Sequence, residues 1–187
     1  MRCPWSVGND LLMKYHDEEW GIPKKEEQVL FELLSLEIMQ AGLKWEVILK
    51  KRAAFKIAFD NFDVQKISKM TEDNIQQLLE NKEIIRNQRK IRAIIKNAQN
   101  LCRLKEETGF DFGSYLWDFV GDKQVKNFWK FGEEVPTQTS ISQKIAKDMK
   151  NNGFVFVGPT IIYSFMQSIG MVDDHLIDCI AKKTRIS

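Results

Sequence analysis

The amino-acid sequence predicts an all-α protein. Most of the 187 residues belong to segments whose apolar side chains recur at the three- and four-residue spacing of an amphipathic helix. Runs with the alternating pattern of a β-strand are nearly absent, and short turns separate the helical segments. A chain of this length can bury a sizeable core. We therefore expect residues 1–187 to fold as a single helical domain.

Composition and charge narrow the class of protein. The hydrophobic fraction is 43%, but no run approaches the roughly 18 apolar residues of a transmembrane helix, and no membrane association is predicted. The first residues lack the apolar core of a signal peptide. These features predict a cytoplasmic protein, in which the three cysteines are reduced and able to bind a metal ion.

Local charge is more informative than the net charge of +2. The segment from Ile84 to Lys105 contains seven basic residues and no acidic residue, a pattern compatible with contacts to a phosphate backbone. An ordinary solvated helix face would show the same pattern, so both interpretations stay open. The seven are Arg86, Arg89, Lys90, Arg92, Lys96, Arg103 and Lys105.

The helices are expected to follow an irregular N-terminal arm, residues 1–23, which carries several large aromatic side chains that need a buried environment. Residues 121–136 are predicted to form a surface loop. A helix then begins near Ser140 or Ser142, either of which can cap it, and ends near residue 151. The earlier predicted helices cover residues 26–39, 45–49, 51–59, 64–70, 74–79, 89–107 and 112–120.

The segment from Gly153 to Thr160 reads as a tight apolar turn between two helices. Gly158 allows close backbone approach, and Pro159 suits a helix start because it has no amide to lose. The exposed amides at such a helix start can bind a DNA phosphate. The layout resembles the helix-hairpin-helix element of DNA repair proteins, with a purely structural helical hairpin as the alternative. The turn contains no lysine to form a Schiff base, so a glycosylase with this hairpin should leave the DNA strand intact.

Scarce metal-binding residue types lie at the two ends of the chain. His175 and Cys179 are four residues apart, which on a helix places both side chains on one face. Two ligands are too few for a stable zinc site. Cys3 and His16 can complete a Cys2His2 site that ties the chain ends together. The alternative is that His175 and Cys179 are packed core residues.

The stretch from Leu36 to Trp45 has the composition of a ligand pocket. Glu37 lies beside the apolar face of a predicted helix and is followed by a helix break at Gly42 and by Trp45. A carboxylate among aromatic rings can hold a flat, electron-poor ring by stacking and by accepting its N–H group. The alternative is that Glu37 is an ion-paired or solvated surface residue.

Several motifs together resemble one family, DNA-3-methyladenine glycosylase I of the Tag type. The similarity covers nearly the whole chain, and the motifs follow one another in the family's order. They are Cys3-Pro4-Trp5, Tyr15-His16-Asp17-Glu18-Glu19-Trp20-Gly21-Ile22-Pro23, Leu36-Glu37, Gln40-Ala41-Gly42-Leu43-Lys44-Trp45, Ile84-Ile85-Arg86, Gly153-Phe154, Val157-Gly158, Tyr163-Ser164-Phe165-Met166-Gln167, and Asp174-His175 with Cys179.

The resemblance implies a helix-hairpin-helix glycosylase fold, with the hairpin at about residues 140–170. It implies a monomeric enzyme that releases free 3-methyladenine from alkylated double-stranded DNA. One structural zinc ion would join the arm of residues 1–23 to residues 171–187. The implied zinc ligands are Cys3, His16, His175 and Cys179.

The resemblance also assigns the other site residues. Glu37 matches the carboxylate that recognises the base, and Tyr15 and Trp45 match aromatic residues of the pocket. Trp5 and Trp20 match aromatics close to that pocket. The expected DNA contacts are Gly158, Thr160 and Leu43, the last filling the gap left by the extruded nucleotide.

Some alternatives stay open at this point. Asp173 and Asp174 follow the hairpin, where many members of the superfamily carry an aspartate that supports the departing sugar cation. Capping of a helix beside His175 is the plainer role for both. A zinc-stapled DNA-binding module without chemistry and a zinc hydrolase with only three protein ligands are the other classes that fit. Cys102 reads as a small apolar residue.

Overall fold

The structure, a computed structural model, describes residues 1–186, and the side chains of residues 1–183. The described chain is mostly helical, as predicted. Within residues 1–186, no helix combines the length and apolar composition that a membrane crossing requires. The α-helices are α1 (Asp10–Glu18), α2 (Glu27–Gln40), α3 (Trp45–Ala58), α4 (Val64–Ser68), α5 (Glu72–Glu80), α6 (Gln88–Thr108), α7 (Phe112–Asp118), α8 (Ser140–Asn151), α9 (Pro159–Ser168) and α10 (Ile180–Ile186).

The helix α2 lies at the centre of the fold. It contacts α3, α6, α7 and α9, and every residue from Leu30 to Met39 is buried. A helix that is buried on all sides carries its polar side chains into the interior, where each needs a partner. Glu32 has one, because it accepts a hydrogen bond from Arg52 Nε at 2.7 Å. Glu37 instead faces a cavity.

The N-terminal arm is more regular than predicted, because it contains α1. The side chain of Asn9 caps this helix by accepting a hydrogen bond from the Leu12 amide at 3.1 Å, and Asp10 lies in the first turn, where its charge complements the helix dipole. The helix buries Tyr15 and His16. The Asn9-Asp10 pair is the sequence signal that could have identified the helix.

The helix α3 is continuous from Trp45 to Ala58, where two helices were predicted. No glycine or proline interrupts this range, and Leu49, Lys50 and Lys51 all have good helix propensity. The prediction of a boundary between residues 49 and 51 was therefore wrong.

The predicted surface loop, residues 121–136, contains a two-residue strand, β1 (Val125–Lys126), and a short 3-10 turn at Gly132–Glu134. The strand pairs in parallel with β2 (Val172–Asp173). Parallel pairing needs a partner that is distant in the chain, which no local pattern reveals. The pair fixes the loop against the segment that follows α9.

The helices α8 and α9 flank the predicted apolar turn. Thr139, rather than either predicted serine, is the N-cap of α8, and its hydroxyl accepts a hydrogen bond from the Ser142 amide at 3.2 Å. The turn is held against α6 by Asn97, whose amide group donates to the Val155 carbonyl at 3.0 Å and accepts from the Val155 amide at 2.8 Å. A side-chain amide thus fixes the backbone of the turn.

The segment after β2 is not helical until Ile180. His175 and Cys179 lie on either side of a turn at residues 177–178. The prediction that they share one face of a helix was wrong. The turn brings both side chains toward the N-terminal arm, where the Leu176 amide lies 3.5 Å from Cys3 Sγ.

Candidate active site and metal centre

A cavity of about 460 Å³ opens between the N-terminal arm, the end of α2, α9 and residues 132–137. Among the side chains of residues 1–183, no lysine, arginine or histidine lines it, whereas the carboxyl groups of Glu37 and Asp174 do. The lining residues are Cys3, Pro4, Trp5, Tyr15, Trp20, Glu37, Gln40, Trp45, Gly132, Val135, Pro136, Thr137, Thr160, Tyr163, Ser164, Gln167, Asp174 and Leu176.

All the residues predicted to bind the base lie in this wall. The Tyr15 and Trp45 rings are 5.3 Å apart between centroids and tilted, and the Trp5 and Trp20 rings meet edge to face at 5.0 Å. Such packing presents aromatic surface on one side of the cavity. Burial, and after it the nearby Glu37, raises the pKa of Tyr15, so its hydroxyl stays a hydrogen-bond donor.

Glu37 is a buried carboxyl group that the protein leaves unpaired. The residue is 5% exposed, and none of the side chains in residues 1–183 hydrogen-bonds its carboxylate. Burial raises its pKa to about 8. The alternative of a solvated or ion-paired surface residue is therefore wrong. A buried, unpaired carboxyl on a cavity wall is poised to receive a ligand that donates hydrogen bonds or carries positive charge.

Asp174 is the second carboxylate of the cavity, and four neutral groups donate to it. Oδ1 accepts from Asn127 Nδ2 and Trp129 Nε1, both at 2.7 Å. Oδ2 accepts from the Tyr163 hydroxyl at 2.6 Å and from Gln167 Nε2 at 2.7 Å. The predicted capping role was wrong, because α10 begins only at Ile180. Asp174 instead joins the loop after β1 to α9.

Two parts of the cavity wall were missed by sequence reasoning. One is the stretch of residues 132–137, which was treated as surface. The other is one face of α9, where Thr160, Tyr163, Ser164 and Gln167 follow helical spacing and all line the cavity. That polar stripe on an otherwise apolar helix was the available signal.

Of the three residues predicted to contact DNA, one lines the cavity and two do not. Thr160 lines the cavity. Leu43 is 38% exposed, in the turn between α2 and α3. Gly158 is the N-cap of α9 and does not line the cavity.

The predicted basic face is smaller than the sequence indicated. Arg92, Arg103 and Lys105 form ion pairs with Glu72, Glu107 and Glu27, and Lys90 is buried. Arg86, Arg89 and Lys96 are exposed, and no ion pair to them is found among the side chains of residues 1–183.

A cluster of metal-binding side chains lies next to the cavity. Cys3, His16 and Cys179 are all buried, and one ligand atom of each lies within 4.8 Å of the others. The fourth predicted ligand, His175, lies beside them, with its ring 4.8 Å from that of His16 between centroids. Its Nε2 atom is buried without a hydrogen-bond partner among the described residues. A buried imidazole nitrogen without a hydrogen-bond partner, next to two cysteines and a second histidine, is the pattern expected of a metal ligand.

Carboxylates hold both imidazoles in place. His16 Nδ1 lies 2.8 Å from Asp17 Oδ1, and His175 Nδ1 lies 2.8 Å from Asp173 Oδ1. Each pairing turns the other ring nitrogen toward the cluster, as at zinc sites, and His16 Nε2 lies 3.4 Å from Cys179 Sγ. Although burial opposes it, hydrogen bonds from His175 and Lys182 lower the pKa of Asp173 to about 2.

The thiol pair favours a thiolate. The hydrogen bond from Cys3, and after it that from His16, lowers the pKa of Cys179 despite its burial. Thiolate sulfur and neutral imidazole are the ligands that zinc prefers. The residues present therefore fit a zinc ion.

Known proteins of one family are similar to this chain over nearly its whole length. A family model described as methyladenine glycosylase matches residues 5–182. The DNA-3-methyladenine glycosylase of Haemophilus influenzae is 44% identical over 181 residues, which cover 97% of each chain. A crystal structure of 3-methyladenine DNA glycosylase I superposes with a TM-score of 0.93 at 41% identity, covering 96% of this chain and 98% of that one.

A further solved structure contains the ligand. It is a variant of 3-methyladenine DNA glycosylase I in complex with 3-methyladenine, with a TM-score of 0.91, 32% identity and 97% coverage of both chains. Since the family model and the relatives span nearly the whole sequence, this chain belongs to the methyladenine glycosylase family.

Proposed function

We propose that the chain is a DNA-3-methyladenine glycosylase of base-excision repair, which hydrolyses the bond between N3-methyladenine and deoxyribose and leaves the DNA strand intact. One observation carries the proposal: the buried carboxyl of Glu37 lines an aromatic cavity and accepts no hydrogen bond from the described side chains, none of which is a basic residue lining that cavity. Membership of the family supports the reaction.

The substrate chemistry matches the cavity. Methylation at N3 gives the base a positive charge in DNA and weakens its glycosidic bond. Extrusion of the nucleotide costs a few kcal/mol, and less for a damaged base that stacks and pairs poorly. An aromatic cavity whose buried carboxyl, Glu37, ionises beside a cation favours this charged base over neutral adenine. Recognition of the extruded base thus supplies selectivity.

Glu37 and Tyr15 are the proposed recognition groups, and Trp45 is the proposed aromatic wall. The carboxylate accepts the N–H of the base, and the Tyr15 hydroxyl donates to its edge. Since burial raises the pKa of Glu37 to about 8, its carboxyl is mostly protonated in the empty cavity at neutral pH. A cationic base reverses this preference, because an adjacent positive charge favours the ionised form.

The reaction itself needs few groups. The bond between the sugar C1′ and the base N9 breaks, and its electron pair stays with the base, which leaves as neutral 3-methyladenine. A water oxygen then bonds to C1′ and loses a proton to solvent or to a nearby carboxylate, giving the abasic site. Glu37 stabilises the charged state before bond breaking and orients the base, so catalysis is largely selective binding.

The DNA duplex is proposed to lie across the mouth of the cavity. Leu43 is exposed and close in sequence to the cavity residues Gln40 and Trp45, and it is proposed to fill the gap left by the extruded nucleotide. The start of α9, with Gly158 and Thr160, is proposed to bind the backbone, because helix N-termini favour phosphate.

One structural zinc ion is proposed to be held by Cys3, His16, His175 and Cys179. Four protein ligands leave no open position, so the ion would stabilise the fold rather than activate water. Its proposed role is to pin the N-terminal arm so that Tyr15, adjacent to His16, faces the cavity. We expect purified protein to contain one zinc per chain by elemental analysis, and Cys179→Ser to reduce both zinc content and base affinity. Full stability and activity of a zinc-free protein would contradict this role.

The decisive experiment measures base release from methylated duplex DNA. We expect free 3-methyladenine to appear by chromatography, with abasic sites that become strand breaks only after alkali treatment. Binding to methylated DNA without base release would indicate a DNA-binding module without chemistry. Gel filtration tests the prediction of a single-domain monomer.

A further inference from the structure

The turn between α2 and α3, residues 41–44, is held in place by hydrogen bonds from the buried amine of Lys90. Lys90 in the first turn of α6 is 6% exposed, and its Nζ atom donates to the Met39 carbonyl at 2.8 Å and to the Ala41 carbonyl at 2.6 Å. Burying an ammonium group is costly unless it is hydrogen-bonded, and here burial lowers its pKa. The sequence pattern had placed this lysine on the basic surface.

Lys90 binds two carbonyl groups at a helix end. The last carbonyl groups of a helix have no partner within it. At the end of α2, the Glu37 carbonyl accepts from the Ala41 amide at 3.2 Å, and the Gln40 carbonyl accepts from the Leu43 amide at 2.6 Å. The carbonyls of Met39 and Ala41 are bound by Lys90 instead, and a positive charge there also complements the helix dipole.

The supported turn joins the cavity to the surface. Gln40 and Trp45, on either side of it, line the cavity, and Gln40 Nε2 donates to the Leu43 carbonyl at 2.8 Å. Leu43 itself is exposed. A shift of the turn would therefore move the leucine relative to the pocket, and small displacements of positioning groups can cost orders of magnitude in rate.

We infer that Lys90 is a positioning residue for the reaction: it fixes the turn of residues 41–44 so that Leu43 enters the duplex while the base enters the cavity. It contacts neither the base nor the DNA. The inference rests on the proposed function and adds a residue of α6 to its machinery.

The test is Lys90→Met, which keeps an unbranched side chain and removes the donors. We expect base release from methylated duplex DNA to fall about tenfold or more, while the affinity for free 3-methyladenine changes less than about threefold. Lys105→Met is the matched control, because Lys105 lies on the same helix in an exposed ion pair with Glu27. Equal losses in both assays would overturn the inference, since a general loss of structure would cause them.

A double-mutant cycle with Leu43→Ala tests whether Lys90 acts on base release through the turn that carries Leu43. If Lys90 acts through the turn, the double variant should be little worse than the poorer single variant, whereas independent effects would add. Additive effects would overturn the inference. If Lys90→Met does not fold, Lys90→Gln, with a shorter donor, takes its place and should give a smaller effect of the same kind.

Hydrogen exchange separates this inference from the proposed function. In Lys90→Met, the amides of Ala41 and Leu43 should exchange faster, whether or not the protein releases a base. Unchanged exchange rates would show that Lys90 does not stabilise the turn of residues 41–44. Absence of base release from the wild type would instead contradict the proposed function.

Discussion

The two carboxylates of the cavity lie in opposite surroundings. Asp174 accepts four hydrogen bonds from neutral donors, whereas Glu37 is equally buried and receives none from the described side chains. Both residues line the same cavity. A carboxylate whose oxygens are fully bound has no capacity left for a ligand, and one with empty oxygens needs a ligand. We therefore propose a structural role for Asp174 and a role in ligand recognition for Glu37.

Among the measurements, the rate of base release should show the largest difference between variants of Glu37 and of Asp174. We expect Glu37→Gln to reduce the second-order rate constant of 3-methyladenine release, measured below saturation, roughly 100-fold or more, about 3 kcal/mol, because a neutral amide cannot balance the charge of the base. Asp174→Asn should lower the rate much less in folded protein. If Asp174→Asn abolished turnover while DNA binding and zinc content stayed intact, the assignment would be reversed.

The pH dependence of stability tests the burial of Glu37. The carboxyl binds its proton more tightly in the folded chain, where burial raises the pKa from 4.5 to about 8. Its contribution to stability is therefore lost as the pH rises from the unfolded pKa toward the folded one. Relative to the wild type, Glu37→Gln should gain about 2–3 kcal/mol in unfolding free energy between about pH 5 and pH 7.

Urea unfolding at these two pH values measures that gain. Comparing the two proteins at each pH cancels the titration of the cysteine and histidine cluster, which they share. If the two proteins differed in unfolding free energy by the same amount at both pH values, the Glu37 carboxyl would be solvated. The contrast with Asp174 would then be lost.

Stability should respond more to the loss of Asp174 than activity does. Asp174→Asn turns one acceptor into a donor that faces other donors, so buried hydrogen bonds are lost and polar groups are left unsatisfied. We expect a loss of about 2 kcal/mol in the free energy of unfolding by urea titration. Asn127→Ala, which removes one donor and keeps the carboxylate, should cost less. An unchanged midpoint for Asp174→Asn would indicate that the four contacts contribute little.

The smallest effect is expected from the loss of a single hydrogen-bond donor to Asp174. Tyr163→Phe removes one of the four hydrogen bonds to Asp174 and leaves the ring in place, which should cost about 1 kcal/mol in thermal or urea unfolding. Phenylalanine at position 163 should leave base release within about threefold of the wild type. A larger loss of rate would give the hydroxyl a direct role at the cavity.

Sequence patterns predicted those parts of the fold that are determined by residues close together in the chain. The helix predicted at residues 89–107 is observed at Gln88–Thr108, because its apolar residues recur at helical spacing and Gly109, with φ +67°, ends it. The local pattern at Glu37 and Trp45 suggested a pocket but left a surface Glu37 open, and the resemblance to the glycosylase family assigned both residues to the pocket.

Long-range contacts were not predictable in the same way. The partners of Asp174 on the loop after β1 are Asn127 and Trp129, 47 and 45 residues away in sequence. The spacing of His175 and Cys179 fitted a helix, but a turn satisfies it equally well. Lys90 resembled a surface lysine because its role depends on carbonyl groups 49 and 51 residues away.

The contact between the two ends of the chain affects how the protein is made. The Ile180 amide donates to the Met1 carbonyl at 2.8 Å, and the cluster of Cys3, His16 and Cys179 is shared by both ends. During synthesis on the ribosome, the segment that carries Trp5 and Tyr15 emerges before the segment of residues 171–180 that contacts the N-terminal arm. A nascent chain without that later segment lacks these contacts, so the cavity wall can form only after residue 180 has been translated.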